Sequence, residues 1–208
     1  MAVDSVDSLC GPCRQGELEF DSARSYGLYT GDLRKAILYS KFYGREYLGL
    51  RLGALIARAW EALPELESAL VAPVPLHPSR RRERGFNQAE LLARGLVRTL
   101  GKQGRLHGSR LVVGSLQRIR ATVPQVGLSV SARLENVRGV FSVLRPEDVR
   151  DRTVVVVDDV MTTGATLSAC AAALKRAGAA RALALSLARA TPQFPDVESS
   201  GERLVATG

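Results

Sequence analysis

Cysteine is scarce in this chain, with three in 208 residues. An odd count cannot pair off completely, and Cys170 falls among alanines on a predicted helix, so the pattern argues against a disulfide framework. The other two stand in Cys10-Gly11-Pro12-Cys13, a single C-x-x-C with no second pair. Half a zinc ribbon lacks two of its four ligands, and a redox dithiol needs a thioredoxin-like context that the surrounding pattern does not supply. The expectation is a truncated ribbon left as a disordered stub, ahead of a metal shared between two chains, and zinc is not expected. Aromatic residues make up 5%, thin provision for the stacking platforms that single-stranded nucleic acids usually need. Phe86 and Tyr43 are the two placed to serve. No apolar run reaches membrane-spanning length, since Arg181 interrupts stretches such as Ala177 to Leu187. Met1 to Leu9 carries Asp4 and Asp7 and lacks a basic start with an apolar core, so it does not read as a secretory leader and the chain is expected to be cytoplasmic. The G-x-x-x-x-G-K-[ST] loop of a nucleoside triphosphatase is also missing.

Arginine, by contrast, is abundant. Net charge is +8, a balance that favours polyanionic partners. Yet Arg outnumbers Lys by 25 to 4, a skew that codon composition explains equally well, so charge alone identifies no partner. The length suits one domain with a small appendage, and the 46% hydrophobic content is that of an ordinary globular protein.

One stretch organises the rest: Thr153 to Leu167, reading TVVVVDDVMTTGATL. Val154 to Val157 without polar alternation predicts a central parallel strand covered on both faces, and ligands of such sheets sit beyond the carboxyl ends of the strands. Asp158 and Asp159 stand there, followed by Thr162-Thr163-Gly164-Ala165-Thr166 and a helix. Small residues let backbone approach a ligand, and the NH groups that open a helix suit a phosphate. Adjacent carboxylates about 5 Å apart repel by about 3 kcal/mol at an effective dielectric near ~20. The arrangement therefore calls for hydroxyl donors, a divalent cation, or both, and a sugar phosphate with a vicinal diol and bound Mg2+ meets every part.

Around this stretch the pattern alternates strands and helices. Ser25 to Thr30 reads as a strand, Gly31-Asp32 opens a helix that breaks at Lys41 to Arg45, and Glu46 to Leu63 is a longer helix stopped by Pro64. Lys41 and Arg45 flank the break and read mainly as solvated charge, with phosphate contact the lesser reading. Ser68 to Leu76 is a buried strand whose exit is stiffened by Pro73, Pro75 and Pro78. It leads into a basic loop with Arg80, Arg81, Arg82 and Arg84, on the sheet edge that carries Asp158. Asn87 and Glu90 make a capping box for a helix with Leu91, Leu92, Leu96 and Leu100 on its core face. Gly101 to Gly108 is a surface loop in which His107, without an acidic or Cys neighbour, reads as exposed. After a short strand at Leu111 to Val113, Leu116 to Ser129 shows no period over its middle, the length and character of a functional lid or a disordered loop. Ser129 caps a helix through Val137, Gly139 to Val143 is a strand, Ala182 to Leu187 is the last core strand, and the chain from Thr191 reads as disordered.

VVVVDDVMTTGAT resembles the 5-phosphoribosyl 1-pyrophosphate (PRPP) signature of type I phosphoribosyltransferases. Together with CGPC, APVPLHPSRRRERGFNQAELLA and RATVPQVGLSVSARLENVRGVF in this order, it is similar to the competence protein F (ComF) family over about Cys10 to Ala190. That resemblance implies an α/β fold with a mostly parallel sheet, helices on both faces and a small flexible hood, divided as a stub at 1–20, a phosphoribosyltransferase domain at 21–190 and a flexible tail at 191–208. It implies that Asp158 and Asp159 hold the ribose hydroxyls and, through PRPP and water, Mg2+. It further implies that Met161, Thr162, Thr163, Gly164, Ala165 and Thr166 cradle the 5-phosphate, and that Leu76, His77, Arg80 and Arg84 form the pyrophosphate loop. Arg118, Arg120, Thr122 and Gln125 are the implied lid, with Arg120 joining the two aspartates as catalytic. Complete members begin with a four-cysteine zinc ribbon, of which only Cys10 and Cys13 remain here. The family link is to uptake of single-stranded DNA in natural transformation, with PRPP or a related ribose phosphate as ligand and single-stranded DNA or DNA-uptake proteins as further partners. An oligomer is compatible with it. Purine phosphoribosyltransferases usually place an Asp general base three residues after the second acid, where this chain has Thr162, so a purine-salvage enzyme is disfavoured. The competing expectation is a non-catalytic scaffold that binds single-stranded DNA or a partner through its basic loop.

Overall fold

The structure is a computed structural model, and it describes residues 18–42, 46–64, 66–122 and 129–191. Cys10, Cys13, Tyr43, Arg45 and Gln125 lie outside them. Strand β1 (Ser22–Leu28) leads to helices α1 (Gly31–Phe42) and α2 (Glu46–Trp60), then to β2 (Leu70–Pro73), α3 (Pro78–Arg84), α4 (Gln88–Lys102) and β3 (Arg110–Leu111). A two-stranded antiparallel ribbon of β4 (Leu116–Arg118) and β5 (Phe141–Val143) flanks α5 (Val130–Val137), and the chain closes with β6 (Thr153–Met161), α6 (Ala165–Arg176) and β7 (Arg181–Arg189). The main sheet runs β1-β7-β6-β2-β3 with every pairing parallel.

The valine run occupies the middle of that sheet because each residue has a face to bury. Val154 and Val156 pack with Leu167, Cys170 and Leu174 of α6 on one side. Val155 and Val157 pack with Ile56, Trp60, Leu92 and Leu96 of α2 and α4 on the other. A strand so placed has no use for polar alternation, which is why its sequence has none. Helices α2 and α4 meet backbone to backbone. A Cβ on Gly95 would collide with the Leu50 carbonyl, and one on Gly53 with the Leu92 carbonyl, so both positions require glycine for close approach.

Two expectations need correction. The arginine run after β2 is a short helix and not a loop: Pro78 stands at its first turn, His77 Nδ1 accepts from Ser79 N as its N-cap, and Gly85 (φ 81°) closes it in the left-handed conformation. The segment expected to start the lid instead begins as strand β4, held by Phe141 to Val143. Asn87 does cap α4, its Oδ1 accepting from Ala89 N. Glu90 completes no capping box, because it turns to Arg81 and Arg94 at 3.4 and 2.8 Å. Ser129 caps α5 through Ala132 N as expected.

Candidate functional site

Strand order places the site. From β2 the chain steps one way to β3, while β6 leads the other way to β7, so the β2/β6 boundary is the switch point where a crevice opens. Strand β2 ends at Pro73 opposite Val157, whereas β6 continues to Met161. Asp158 and Asp159 therefore stand on a strand that has outrun its neighbour, at the wall of the space this leaves.

That space is a cavity of about 250 Å3. Asp158, Asp159 and Thr166 form one wall, Val74, Pro75 and Leu76 another, and Arg84, Arg118, Asn87, Gln88, Ala89 and Lys41 complete it. Both carboxylates are tied down by their own backbone: Asp158 Oδ1 accepts from Asp159 N at 2.9 Å, and Asp159 Oδ1 from Val160 N at 2.7 Å. Lys41, at the end of α1, places Nζ 3.0 Å from Asp159 Oδ2, with the two side chains 9% and 14% exposed. Burial, and then the charge of Asp159, push the Asp158 carboxyl up to about 7. Burial and the Asp158 charge likewise push the Cys170 thiol well up, which marks it as a core residue and not a nucleophile.

The bend after β6 is built as its composition requires. Gly164 holds φ 85°, Thr163 Oγ1 accepts from Ala165 N at 3.3 Å, and α6 starts at Ala165. The niche between Asp158, Thr162, Gly164, Ala165 and Thr166 has a volume of about 10 Å3, room for a single water-sized group. Met161 also lines this niche, and most of its surface is buried in the core.

The basic residues separate on inspection. Arg84 is half-buried and lines the cavity. Arg80 is exposed and pairs with Glu83 at 3.6 Å. Leu76 lines the cavity and His77 is occupied as the cap of α3. Arg118 lines the cavity too: its guanidinium lies 5.6 Å from the Phe141 ring, it donates to Thr122 Oγ1, and burial lowers its pKa. It also lines an adjoining groove of about 580 Å3 with Pro73, Pro78, Arg81, Arg82 and Gln117. Arg120 points away, exposed, and donates to the Arg138 carbonyl at 3.0 Å.

Two residues in the wall have surroundings that sequence did not indicate. Lys41 reads as helix-end charge, with phosphate contact the lesser reading, and nothing in the chain links it to an aspartate 118 positions later. Gln88 follows the N-cap Asn87 and reads as an ordinary first-turn polar residue, yet it is 3% exposed. Phe86, the aromatic expected to be available for stacking, is buried. Tyr39 and Tyr47 are the exposed aromatics among the described residues, Tyr47 with Arg51 stacked 5.5 Å from its ring.

A magnesium ion fits the donor set in one way only. Among the described residues no group of three or more His, Cys, Asp or Glu side chains converges, so the ion would be held by one or both aspartates together with oxygens of the ligand and water, the usual manner for Mg2+.

Residues 85–199 match the family model described as "Phosphoribosyl transferase domain". The chain is 31% identical to "Competence protein F" of Haemophilus influenzae over 87% of its own length and 78% of that protein. It is 34% identical to "DNA utilization protein YhgH" of Salmonella typhi over 82% of its length and 73% of the relative, and equally so to the Escherichia coli K12 protein of that name over the same shares. Among solved structures it is similar to "Structure of the allosteric regulatory enzyme of purine biosynthesis", with a TM-score of 0.40 and 22% identity, covering 66% of this chain and 25% of that one.

Proposed function

Given that the chain belongs to the phosphoribosyl transferase domain family, in its competence protein F branch, we propose that it binds PRPP with Mg2+ in the cavity beside Asp158 and Asp159. We further propose that it transfers the phosphoribosyl group to an acceptor in the handling of DNA during competence. The observation that carries this reading is the convergence, at the switch point of the sheet, of a carboxylate pair, a helix-opening bend and two arginines on one cavity.

In the reaction the bond from C1 of the ribose to pyrophosphate breaks, positive charge develops on the sugar, and the nucleophile bonds to C1 as it gives up its proton to solvent. Arg84 and Arg118 lie where they would offset the charge gathering on the departing pyrophosphate. The aspartates hold the sugar hydroxyls, fixing C1 for in-line attack and placing negative charge near the developing cation. Thr162 to Thr166 anchor the 5-phosphate end. Magnesium, when bound with the ligand, neutralises pyrophosphate oxygens. Isothermal calorimetry with PRPP and Mg2+ is the test: the wild type binds, and Asp158→Asn/Asp159→Asn loses at least about 100-fold in affinity, the worth of two charge-assisted hydrogen bonds. Absence of binding by the wild type, or unchanged binding by the double variant, defeats the reading.

A second reading is favoured by α3, whose Arg80, Arg81 and Arg82 are all exposed beside the open groove. In this reading the helix contacts the backbone of single-stranded DNA, with or without turnover at the cavity.

A further inference from the structure

Two adjacent acids call for hydroxyl donors, a divalent cation or both, and the fold brings a cation of its own. Lys41 Nζ lies 3.0 Å from Asp159 Oδ2, with the two side chains 9% and 14% exposed. The other oxygen of Asp159 accepts from Val160 N at 2.7 Å. A full positive charge therefore stands on the one oxygen of Asp159 that its own backbone leaves to the cavity. Around that cavity the charged side chains are Lys41, Arg84 and Arg118 against Asp158 and Asp159, an excess of positive charge before any ion binds. Among the described residues, Lys41 is the cation at ion-pair distance from an aspartate, so both arginines remain for the pyrophosphate.

The turn of α1 that carries this lysine is held firmly. Ile37 is fully buried in the core shared with α2 and α4. Ser40, 1% exposed, donates from Oγ to the Ile37 carbonyl at 2.8 Å, and the same Oγ lies 2.7 Å from the side-chain amide of Gln88 at the start of α4. A lysine side chain loses much rotamer freedom when it is fixed, and here the packing of α1 has already fixed it. Magnesium would need the same oxygen, but it demands an octahedral oxygen shell and keeps several waters, while the cavity has about 250 Å3 in which a sugar must also fit. The ion pair does not close the site to hydroxyls, because a carboxylate oxygen that takes one contact retains a second lone pair.

We infer that Lys41 is a positioning residue that takes the place of a divalent ion at Asp159, so that the two aspartates hold the ribose hydroxyls without metal and magnesium enters with the pyrophosphate. This rests on the phosphoribosyl reading of the cavity. It divides the cationic work between a lysine at the sugar and an ion at the leaving group, and it makes binding of the sugar end independent of magnesium.

The test is calorimetry on the full chain with ribose 5-phosphate, which has the diol and lacks pyrophosphate, titrated once with Mg2+ and once with EDTA at matched ionic strength. The wild type is expected to bind it with the same affinity, within about 2-fold, in both conditions. Lys41→Met is expected to lose about 10-fold in EDTA, the scale of one contact to a charged group, and to regain most of that with Mg2+, which can then reach Asp159. A wild type that binds PRPP with Mg2+ yet needs the metal for ribose 5-phosphate, or does not bind ribose 5-phosphate at all, overturns the inference. Unchanged affinity of Lys41→Met in EDTA overturns it as well. So does a loss of the same size with and without Mg2+, which marks the lysine as a support of the fold alone. Should Lys41→Met not fold, Lys41→Gln keeps a donor for Asp159 without the charge and is expected to lose about 3-fold in EDTA, again regained with Mg2+; no recovery there overturns the inference equally. Failure of the wild type to bind PRPP with Mg2+ is a separate result, seen before any variant is compared, and it removes the phosphoribosyl reading together with everything built on it.

Discussion

Asp158 carries a proton further up the pH scale than a carboxyl usually does, and the sign of its effect on stability follows. Between the ordinary value of 3.8 and about 7 the folded chain binds this proton more tightly than the unfolded chain does. Its contribution is therefore most favourable at low pH and is lost as pH rises through that window. Asp158→Asn removes the penalty, so thermal melts should show the variant gaining at least about 3 °C over the wild type at pH 8. At pH 4 the two should nearly coincide. The opposite pattern would mean the carboxylate is stabilised in its ionised form. Lys41→Met tests the neighbouring ion pair. Leaving Asp159 ionised without its cation at 14% exposure is expected to cost about 3 kcal/mol in urea unfolding at pH 7, and the loss should largely vanish in Lys41→Met/Asp159→Asn. Neither effect is visible in the composition of the chain. The adjacent acids announce themselves, whereas the cation between them and solvent arrives from α1 by tertiary packing.

At the level of elements, the interface of α2 with α4 makes the firmest prediction. Gly95→Ala puts a methyl into the Leu50 carbonyl, and Gly53→Ala puts one into the Leu92 carbonyl. Each should cost at least about 1 to 3 kcal/mol by calorimetric melting, although alanine is the better helix former. A stabilised variant would show the helices free to separate. What was readable here, and what was not, divides by range of interaction. The valine strand, the two caps at Asn87 and Ser129 and the leucine stripe of α4 are local patterns, and the structure contains them. Helix α3 also had its local signals, Pro78 at the start and Gly85 at the end, but three prolines in six residues read more strongly as a stiff exit. Strand β4 spans only Leu116–Arg118, too short for a period of two to register. The contact between the Gln88 amide and Ser40 joins residues 48 positions apart, so no pattern local to either residue could contain it.

For the whole molecule the relevant quantity is a net charge of +8 and its exposure along α3. If that helix tracks a nucleic-acid backbone, the affinity for a single-stranded oligonucleotide falls with salt. Replacing Arg81 and Arg82 by Gln should then reduce the slope of log K against log salt by about 1.4, while PRPP affinity stays at the wild-type level. An unchanged slope removes α3 from any such contact. No helix among the described residues is long and apolar enough to cross a membrane. One feature of the sheet bears on how the architecture can change. Because β6 overhangs β2 by the stretch from Asp158 to Met161, that stretch has no partner on the β2 flank to hold it in step: Val157 and Val160 both pack on the α4 side and Met161 on the α6 side, so the alternation slips by one residue across the two acids. Deleting a single valine upstream would draw Asp159 back to the place of Asp158 and Asp158 to the place of Val157, whose side chain faces the core under α2 and α4, taking Asp159 away from Lys41. Length between Thr153 and Asp158 is thus as binding a requirement as the identity of the acids themselves.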